Sequence, residues 1–468
     1  MRETDLVVIG GGIGGYVCAI RASQLGKKVI LVEKARLGGE CLIAGCIPSK
    51  SMISVAKVYD KMRDGAKFGI HAEGLRVDLP ELQSWKSSVI AALESGVAAL
   101  CQGNKVEVIK GEAELVDRNK VVVSTPDNRR EELSTKSVVV ATGSSTISLP
   151  GMEFDGRLVI GSREALELQT LPRHLLVVGG GYIGLEIASM YQRLGSKISI
   201  VELTDQLLPG TEPDLVRYAQ RSLERRGATI KLSSRVSSIA KGGDGIRATV
   251  ESAQGKTEVI EADVLLVSVG RKPVTQSPNL QKLGVETDSK GYIKTDNRMM
   301  TNVAGVYAIG DVRGPPLLAH KAQKEGIVAA ESIAGLSTAA DWKSVPWAIF
   351  TDPEISGVGL TEKQAVEAGY RVKKTRFSFA ALGRAMAVGE TEGFVRIVSE
   401  ERSGVVLGVQ IVGPEASDLI SEASLAIEMG ATVEDLALTI HPHPTLPEAI
   451  MEAAESASGK SVHQLRPI

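Results

Sequence analysis

The chain has 468 residues, 43% of them hydrophobic and 24% charged, with a net charge of −2. That length suggests three or four domains. So even a charge balance gives no footing for a nucleic acid or an anionic membrane as partner. Aromatic residues make up only 4%, so the core is expected to be aliphatic. Glycine numbers 49, above the average of about 7%, as many tight turns and close backbone approaches would require.

In chain order, Met1-Arg2-Glu3-Thr4-Asp5 runs into Leu6-Val7-Val8-Ile9, and the apolar run stops at Gly10. That is too short for a signal-peptide core. No stretch is expected to span a membrane, and the protein is expected in the cytoplasm. Residues 5–9 read as a buried strand, 16–25 as a helix and 28–33 as a second strand. Between the first strand and the helix lies Gly10-Gly11-Gly12-Ile13-Gly14-Gly15. Gly10, Gly12 and Gly15 fit the G-x-G-x-x-G spacing, in which the glycines allow a tight turn, a close approach of a pyrophosphate and close helix–strand packing. Glu33 ends the second strand, placed to accept from ribose hydroxyls.

Next comes Gly39-Glu40-Cys41-Leu42-Ile43-Ala44-Gly45-Cys46-Ile47-Pro48-Ser49-Lys50. It holds two of the four cysteines in the chain. In a regular helix residues five apart lie roughly 8.6 Å apart at Cα, whereas a disulfide wants about 4.4–6.8 Å. Cys41 and Cys46 therefore pair only if the helix is distorted, and Gly45 and Pro48 are residues that allow it. Such a strained, reachable bridge is the labile kind. The alternatives are a metal site, for which the spacing is unusual and further ligands are lacking, and two unrelated buried thiols. Cys18 and Cys101 read as core.

Residues 137–141 lead as a strand into Thr142-Gly143-Ser144. Residues 175–178, the turn Gly179-Gly180-Gly181-Tyr182-Ile183-Gly184, a helix over 185–194 and a strand over 197–202 repeat the first unit. Glu202 stands as far beyond Gly179 as Glu33 does beyond Gly10. Two such fingerprints with their acids in register are a strong sign of two dinucleotide sites. Glu202 favours NAD over NADP, because a carboxylate accepts from a free 2′-hydroxyl and repels a 2′-phosphate. Residues 264–269 lead into Gly270-Arg271-Lys272-Pro273, and 306–309 into Gly310-Asp311, so the first domain is expected to be discontinuous. Linkers are expected near 149–151 and 343–346. Residues 346–355 and 394–413 read as strands. Residues 415–429 read as an amphipathic helix with Ala416, Ile420, Ala423 and Ile427 on its apolar side, in an α+β domain that packs against a further subunit.

The segment Thr439-Ile440-His441-Pro442-His443-Pro444-Thr445-Leu446-Pro447-Glu448 offers His443 as a base oriented by Glu448. Thr445 and Glu448 also read as a capping box for a helix over 449–454. Glu448 serves both purposes only if one carboxylate oxygen is left for His443.

The stretches GGECLIAGCIPSK, ATGSS, GGGYIGLE, SVGRKP, YAIGDV, LLAHKAQKEG and HPHPTLPE together resemble the class I pyridine nucleotide–disulfide oxidoreductase family, over essentially the whole chain. The resemblance implies an α/β fold: two Rossmann-like dinucleotide-binding domains, for FAD and NAD, and a C-terminal α+β dimerisation domain. Residues 1–149 would form the FAD domain, 150–273 the NAD domain, 274–344 a central domain completing the FAD site and 345–468 the interface. It implies a homodimer with shared active sites, and oxidation of a dithiol (the reduced form of free lipoamide or of a lipoyl-bearing protein) with reduction of NAD⁺. Cys41 would exchange with substrate and Cys46 would face the flavin. His443 would come from the second subunit as base, held by Glu448, with a cis peptide at His443–Pro444. Lys50 and Glu186 would flank the flavin's redox edge. Gly10, Gly12, Gly14, Gly15, Glu33, Lys34, Gly39, Cys41, Lys50, Ala113, Thr142, Gly143, Ser144, Gly310, Asp311, Leu318, Ala319 and His320 would line the FAD site. Gly179, Gly181, Tyr182, Ile183, Gly184, Glu202, Val236 and Gly270 would line the NAD side. Glu40, Ile43 and Pro447 depart from the family's commonest pattern without removing a reacting group. A glutathione-type reductase is disfavoured by Glu202 and by the lack of Arg over 203–208. A mercuric-type reductase needs a C-terminal cysteine pair, and no cysteine follows Cys101. The family's transhydrogenase lacks the dithiol. A non-catalytic flavoprotein sensor or scaffold would lack the dithiol or the base.

Overall fold

Leu6-Val7-Val8-Ile9 and Val29–Glu33 are almost wholly apolar, the composition of parallel strands covered on both faces, and they are buried. The computed structural model that shows this describes residues 2–276 and 279–464. Contacts divide the chain into two compact units, Met1–Leu171 with Val267–Asp341, and Pro172–Leu266 with Trp342–Ile468.

In the first unit Arg2–Ile9 pairs in parallel with Val29–Glu33 on one side and Arg130–Val140 on the other. Glu107–Lys110 extends the sheet beyond Val29–Glu33. On the far side Val306–Ala308 pairs with residues 138–140, so a strand from late in the chain completes a sheet begun at the N-terminus. The first half of Arg130–Val140 instead joins an antiparallel meander with Lys120–Ser124 and Glu112–Asp117. Val7, Ile9, Ile30, Val32, Leu133, Val138 and Val306 share one aliphatic cluster. Helix Ile13–Gln24 starts three residues before the expected 16 and packs along helix Ala319–Ala334.

One stretch among the described residues, Gly39–Arg63, is long and apolar enough to cross a membrane by length and composition. This corrects the expectation that none would be. It is not one continuous helix: Gly45 divides it into Gly39–Ala44 and Cys46–Arg63. Both pieces pack against helix Leu79–Gly103.

In the second unit the strands run in the order Thr229–Lys231, Lys197–Val201, His174–Val178, Val264–Val267, parallel across the first three. Helix Tyr182–Leu194 follows the second glycine turn. The C-terminal part is an antiparallel sheet ordered Trp347–Ile349, Glu354–Gly359, Val406–Gly413, Phe394–Glu400, Val372–Ser378. The strand expected over 346–355 is thus two strands, because Asp352–Pro353 is a cis turn between them. The stretch 394–413 is a hairpin. Helix Ala416–Met429 buries Ala416, Ile420, Ala423 and Ile427 as its pattern requires. Cys18 and Cys101 are buried, as expected of core residues.

Gly15 lies in the first turn of helix Ile13–Gln24, and a Cβ there would stand 1.9 Å from the Gly10 carbonyl oxygen. Gly15→Ala should therefore destabilise the first unit by about 1–3 kcal/mol, the usual penalty of overpacking. The check is urea unfolding: an unmoved transition would contradict this packing.

Candidate active site

The first glycine turn is closed by its own acid. Gly10 takes φ 108°, a conformation glycine reaches without strain, and its amide donates to the Val32 carbonyl at 2.8 Å. The Gly11 amide donates to Glu33 Oε2 at 2.6 Å and the Ala35 amide to Glu33 Oε1 at 2.7 Å. Gly38 donates back to the Gly11 carbonyl at 2.8 Å, and a Cβ at Gly39 would lie 2.6 Å from Gly12 Cα. The start of the cysteine helix is therefore pinned to the turn.

Helices Ile13–Gln24 and Ala319–Ala334 begin at Gly12 and Leu318 with no side-chain cap. Their first turns touch, since a Cβ at Gly14 would stand 3.0 Å from the Ala322 carbonyl oxygen. First-turn amides lack partners within a helix, and two positive helix ends side by side favour an anion. Above Gly12 a Cβ would meet nothing nearer than Gly39 Cα at 3.9 Å. This cradle fits a dinucleotide diphosphate. Gly10, Gly12, Gly14, Gly15, Gly39, Leu318 and Ala319 gather around it. Lys34 and His320 are exposed nearby in sequence, and Ala113 is buried in the meander.

A second group forms beside it. Ser144 Oγ donates to Asp311 Oδ2 at 2.5 Å. Arg271 donates from Nε to Ser144 Oγ at 2.7 Å and from Nη2 to the Ser144 carbonyl at 2.9 Å. Thr142 Oγ1 donates to the Val274 carbonyl at 2.6 Å, and the Gly143 carbonyl accepts from the Val274 amide at 3.0 Å. Arg271 also reaches Glu40 at 3.5 Å, and Arg163 reaches Glu40 at 3.1 Å. Sequence reading quoted Arg271 within SVGRKP but gave it no role at the site, since its partner Ser144 lies far away in the chain.

Gly45 takes φ −132° and ψ −103°, which no continuous helix allows. A Cβ on it would lie 2.9 Å from the Glu40 carbonyl oxygen. The break brings the two thiols together: Cys41 hydrogen-bonds Cys46. That bond, then burial, then the charge of Cys46 push the Cys41 thiol far above its usual range, and the Lys50 ammonium opposes the rise. Burial alone pushes Cys18 up to about 12, so it stays an inert thiol.

The second unit repeats the first turn's device. The Gly179 amide donates to the Val201 carbonyl at 2.9 Å, and the Gly180 amide donates to Glu202 Oε2 at 2.5 Å. Glu202 Oε1 accepts from the Thr204 amide at 2.8 Å and its hydroxyl at 2.7 Å. Thr204 was not singled out from sequence. Helix Tyr182–Leu194 starts uncapped at Gly181, with Tyr182 exposed and Ile183 half-buried beside buried Gly184. Val236 lies in the strand whose first residue, Ser234, donates its amide to the Glu202 carbonyl at 2.9 Å. Glu186 is buried and accepts from the Phe350 amide at 3.0 Å. Gly270 falls in the first unit, where its carbonyl accepts from the Ile147 amide at 3.1 Å.

His443 Nδ1 stands 2.8 Å from Glu448 Oε1, and the Thr445 amide donates to Glu448 Oε2 at 2.6 Å. A carboxylate can only accept, so Nδ1 carries a proton, and in the neutral ring Nε2 presents a lone pair. The two carboxylate oxygens thus split the two tasks. The capping box itself forms only in half: the helix starts at Glu448, and the Thr445 hydroxyl donates to the Pro442 carbonyl at 2.7 Å. The His443–Pro444 bond is cis. Burial works against the Glu448 carboxylate, but the Thr445 amide, the His443 ring and the charges of His443 and His441 hold its pKa below the usual range. The side chain of His443 is 78% exposed and that of Glu448 13%. A base held from behind and open in front can take a proton from an incoming group.

The description "Pyridine nucleotide-disulphide oxidoreductase" matches residues 4–326, and the same family's dimerisation domain matches residues 345–454. A dihydrolipoyl dehydrogenase of Haloferax volcanii is 46% identical, covering 99% of this chain and 98% of that one. One from Bacillus subtilis is 45% identical, with 98% of each chain covered. Among solved structures, LpdA of Mycobacterium tuberculosis superposes with a TM-score of 0.90 at 28% identity, covering 97% of this chain and 99% of that one. With its paired thiols, its two glycine cradles and these likenesses along nearly its whole length, the chain belongs to the pyridine nucleotide-disulphide oxidoreductase family.

Proposed function

We propose that the protein oxidises dihydrolipoamide, free or carried on a lipoyl protein, with NAD⁺ as acceptor and FAD as bound cofactor. The meeting of Cys41 and Cys46 across the Gly45 break carries this reading. The curated relatives named for this reaction, 45–46% identical along nearly the whole chain, support the choice of substrate.

The cradle around Gly10, Gly12, Gly14, Gly15, Gly39, Leu318 and Ala319 would hold the FAD diphosphate, with Glu33, Lys34 and Ala113 on the adenosine side. Thr142, Gly143, Ser144, Gly310, Asp311 and His320 would serve its remaining length. Gly179, Gly181, Tyr182, Ile183, Gly184, Glu202, Val236 and Gly270 would serve NAD. When bound, the flavin carries two electrons between the dithiol and the nicotinamide. Residues 1–149, 150–273, 274–344 and 345–468 would be the FAD, NAD, central and interface domains of a cytoplasmic homodimer.

In the oxidised enzyme Cys41 and Cys46 are bridged. One thiolate of the substrate attacks Cys41, the Cys41–Cys46 bond breaks, and a mixed disulfide forms. The second substrate thiol then displaces Cys41, so the substrate leaves as a cyclic disulfide and the enzyme keeps two thiols. Two electrons have entered the pair, and NAD⁺ takes them up as NADH with release of one proton. His443 accepts the substrate's thiol proton at Nε2, and Glu448 holds the ring and stabilises the imidazolium. Its exposure, within the matched dimerisation domain, supports delivery of this base by His443 of the partner subunit. Lys50 favours the Cys41 thiolate, and the family resemblance gives Glu186 a role beside the flavin.

Purified protein should reduce NAD⁺ with dihydrolipoamide and fail to oxidise NADPH with oxidised glutathione. Activity in the second assay alone would overturn the substrate assignment. His443→Gln should lower turnover by roughly 10²–10⁴, the usual worth of general base catalysis, while flavin content stays at the parent level. Full turnover in that variant would remove His443 from the chemistry.

A further inference from the structure

The helix Ala319–Ala334 carries a carboxylate with no access to water: Glu325 is 0% exposed. Its Oε2 accepts from the Gly310 amide at 2.7 Å. Its Oε1 takes Arg313 Nη1 at 2.6 Å and Lys321 Nζ at 3.2 Å. Lys321 is itself buried and donates to the Gly314 carbonyl at 2.7 Å. Arg313 Nε donates to Thr295 Oγ1 at 2.5 Å. One buried anion therefore grips residues 310–314 at the first residue directly, at the fourth through Arg313 and at the fifth through Lys321. Between these points stands Asp311, whose carboxylate the Ser144 hydroxyl meets from the other side.

A buried charge is a poor choice for stability alone, since apolar residues of similar volume are often as good or better. What it supplies is geometry, because each of its bonds has a direction and cannot slide. We propose that Glu325 is a positioning residue of the flavin site: it fixes the turn that presents Asp311 to the cofactor, with Lys321 and Arg313 as its two arms. This rests on the FAD reading above. Glu325 touches no reacting atom; it acts through Asp311. The Arg271–Ser144–Asp311 chain then links the turn so fixed to Glu40, the neighbour of Cys41.

The test compares FAD affinity with fold stability in full-length apoprotein. Glu325→Gln keeps size and an acceptor for Gly310 but leaves buried Lys321 and half-buried Arg313 without their anion. Lys321→Met removes only the arm to Gly314 and leaves Glu325 with Arg313 and Gly310. FAD titration followed by flavin fluorescence should give a dissociation constant raised about tenfold or more in Glu325→Gln, as for other residues that orient a ligand's contacts, and raised less in Lys321→Met. The visible circular dichroism of the bound flavin should change in both, and NADH affinity should hold in both. FAD constants within about twofold of the parent, with only the unfolding midpoint lowered, would overturn the proposal. If Glu325→Gln does not fold, Lys321→Met decides: unchanged FAD affinity and dichroism sink it. A parent protein that binds no FAD at all would instead sink the functional reading.

Discussion

Two thiols five residues apart cannot meet while the chain between them stays helical, and this one constraint organises the centre of the molecule. The break at Gly45 relieves it: the helix ends at Ala44, restarts at Cys46, and Cys41 hydrogen-bonds Cys46. The break is useful only at a fixed place, and its neighbours hold it there. Gly39 is packed on Gly12, so the first helical piece starts from the glycine turn. The second piece brings Lys50 round one turn later, where its charge favours the thiolate of Cys41.

The two cradles are built by one rule. In each, the acid ending the second strand turns back and accepts the amide of the middle glycine: Glu33 from Gly11, Glu202 from Gly180. That bond fixes the turn and leaves carboxylate lone pairs for a ribose. The copies differ in what surrounds them. The first has a second uncapped helix against its own, with Gly14 touching Ala322. In both, the amide two residues on takes the acid's other oxygen, Ala35 on Glu33 and Thr204 on Glu202, and the second adds the Thr204 hydroxyl.

Much of this was legible in the sequence, because it rests on backbone geometry that only certain residues permit. The glycine turns, their acids, the need for a break between the cysteines and the dual use of Glu448 all follow from spacing. The helix over 416–429 followed from its period. Charged groups acting at long range were not legible. Arg271 and Glu325 sit in no recognisable spacing with Ser144 and Gly310, and only the fold brings them together. The apolar length of Gly39–Arg63 was passed over in the sequence, although the break at Gly45 that interrupts it was expected. The strand expected over 346–355 failed at Asp352–Pro353, where a proline removes a ladder donor and the chain turns.

The decisive measurement is non-reducing peptide mapping of the protein before and after anaerobic addition of one NADH per chain. A Cys41–Cys46 bridge should be present as isolated and opened to two alkylatable thiols by NADH, with Cys18 and Cys101 unchanged under native conditions. A bridge that persists in the presence of NADH, or isolated protein in which Cys41 and Cys46 never pair, would contradict the account.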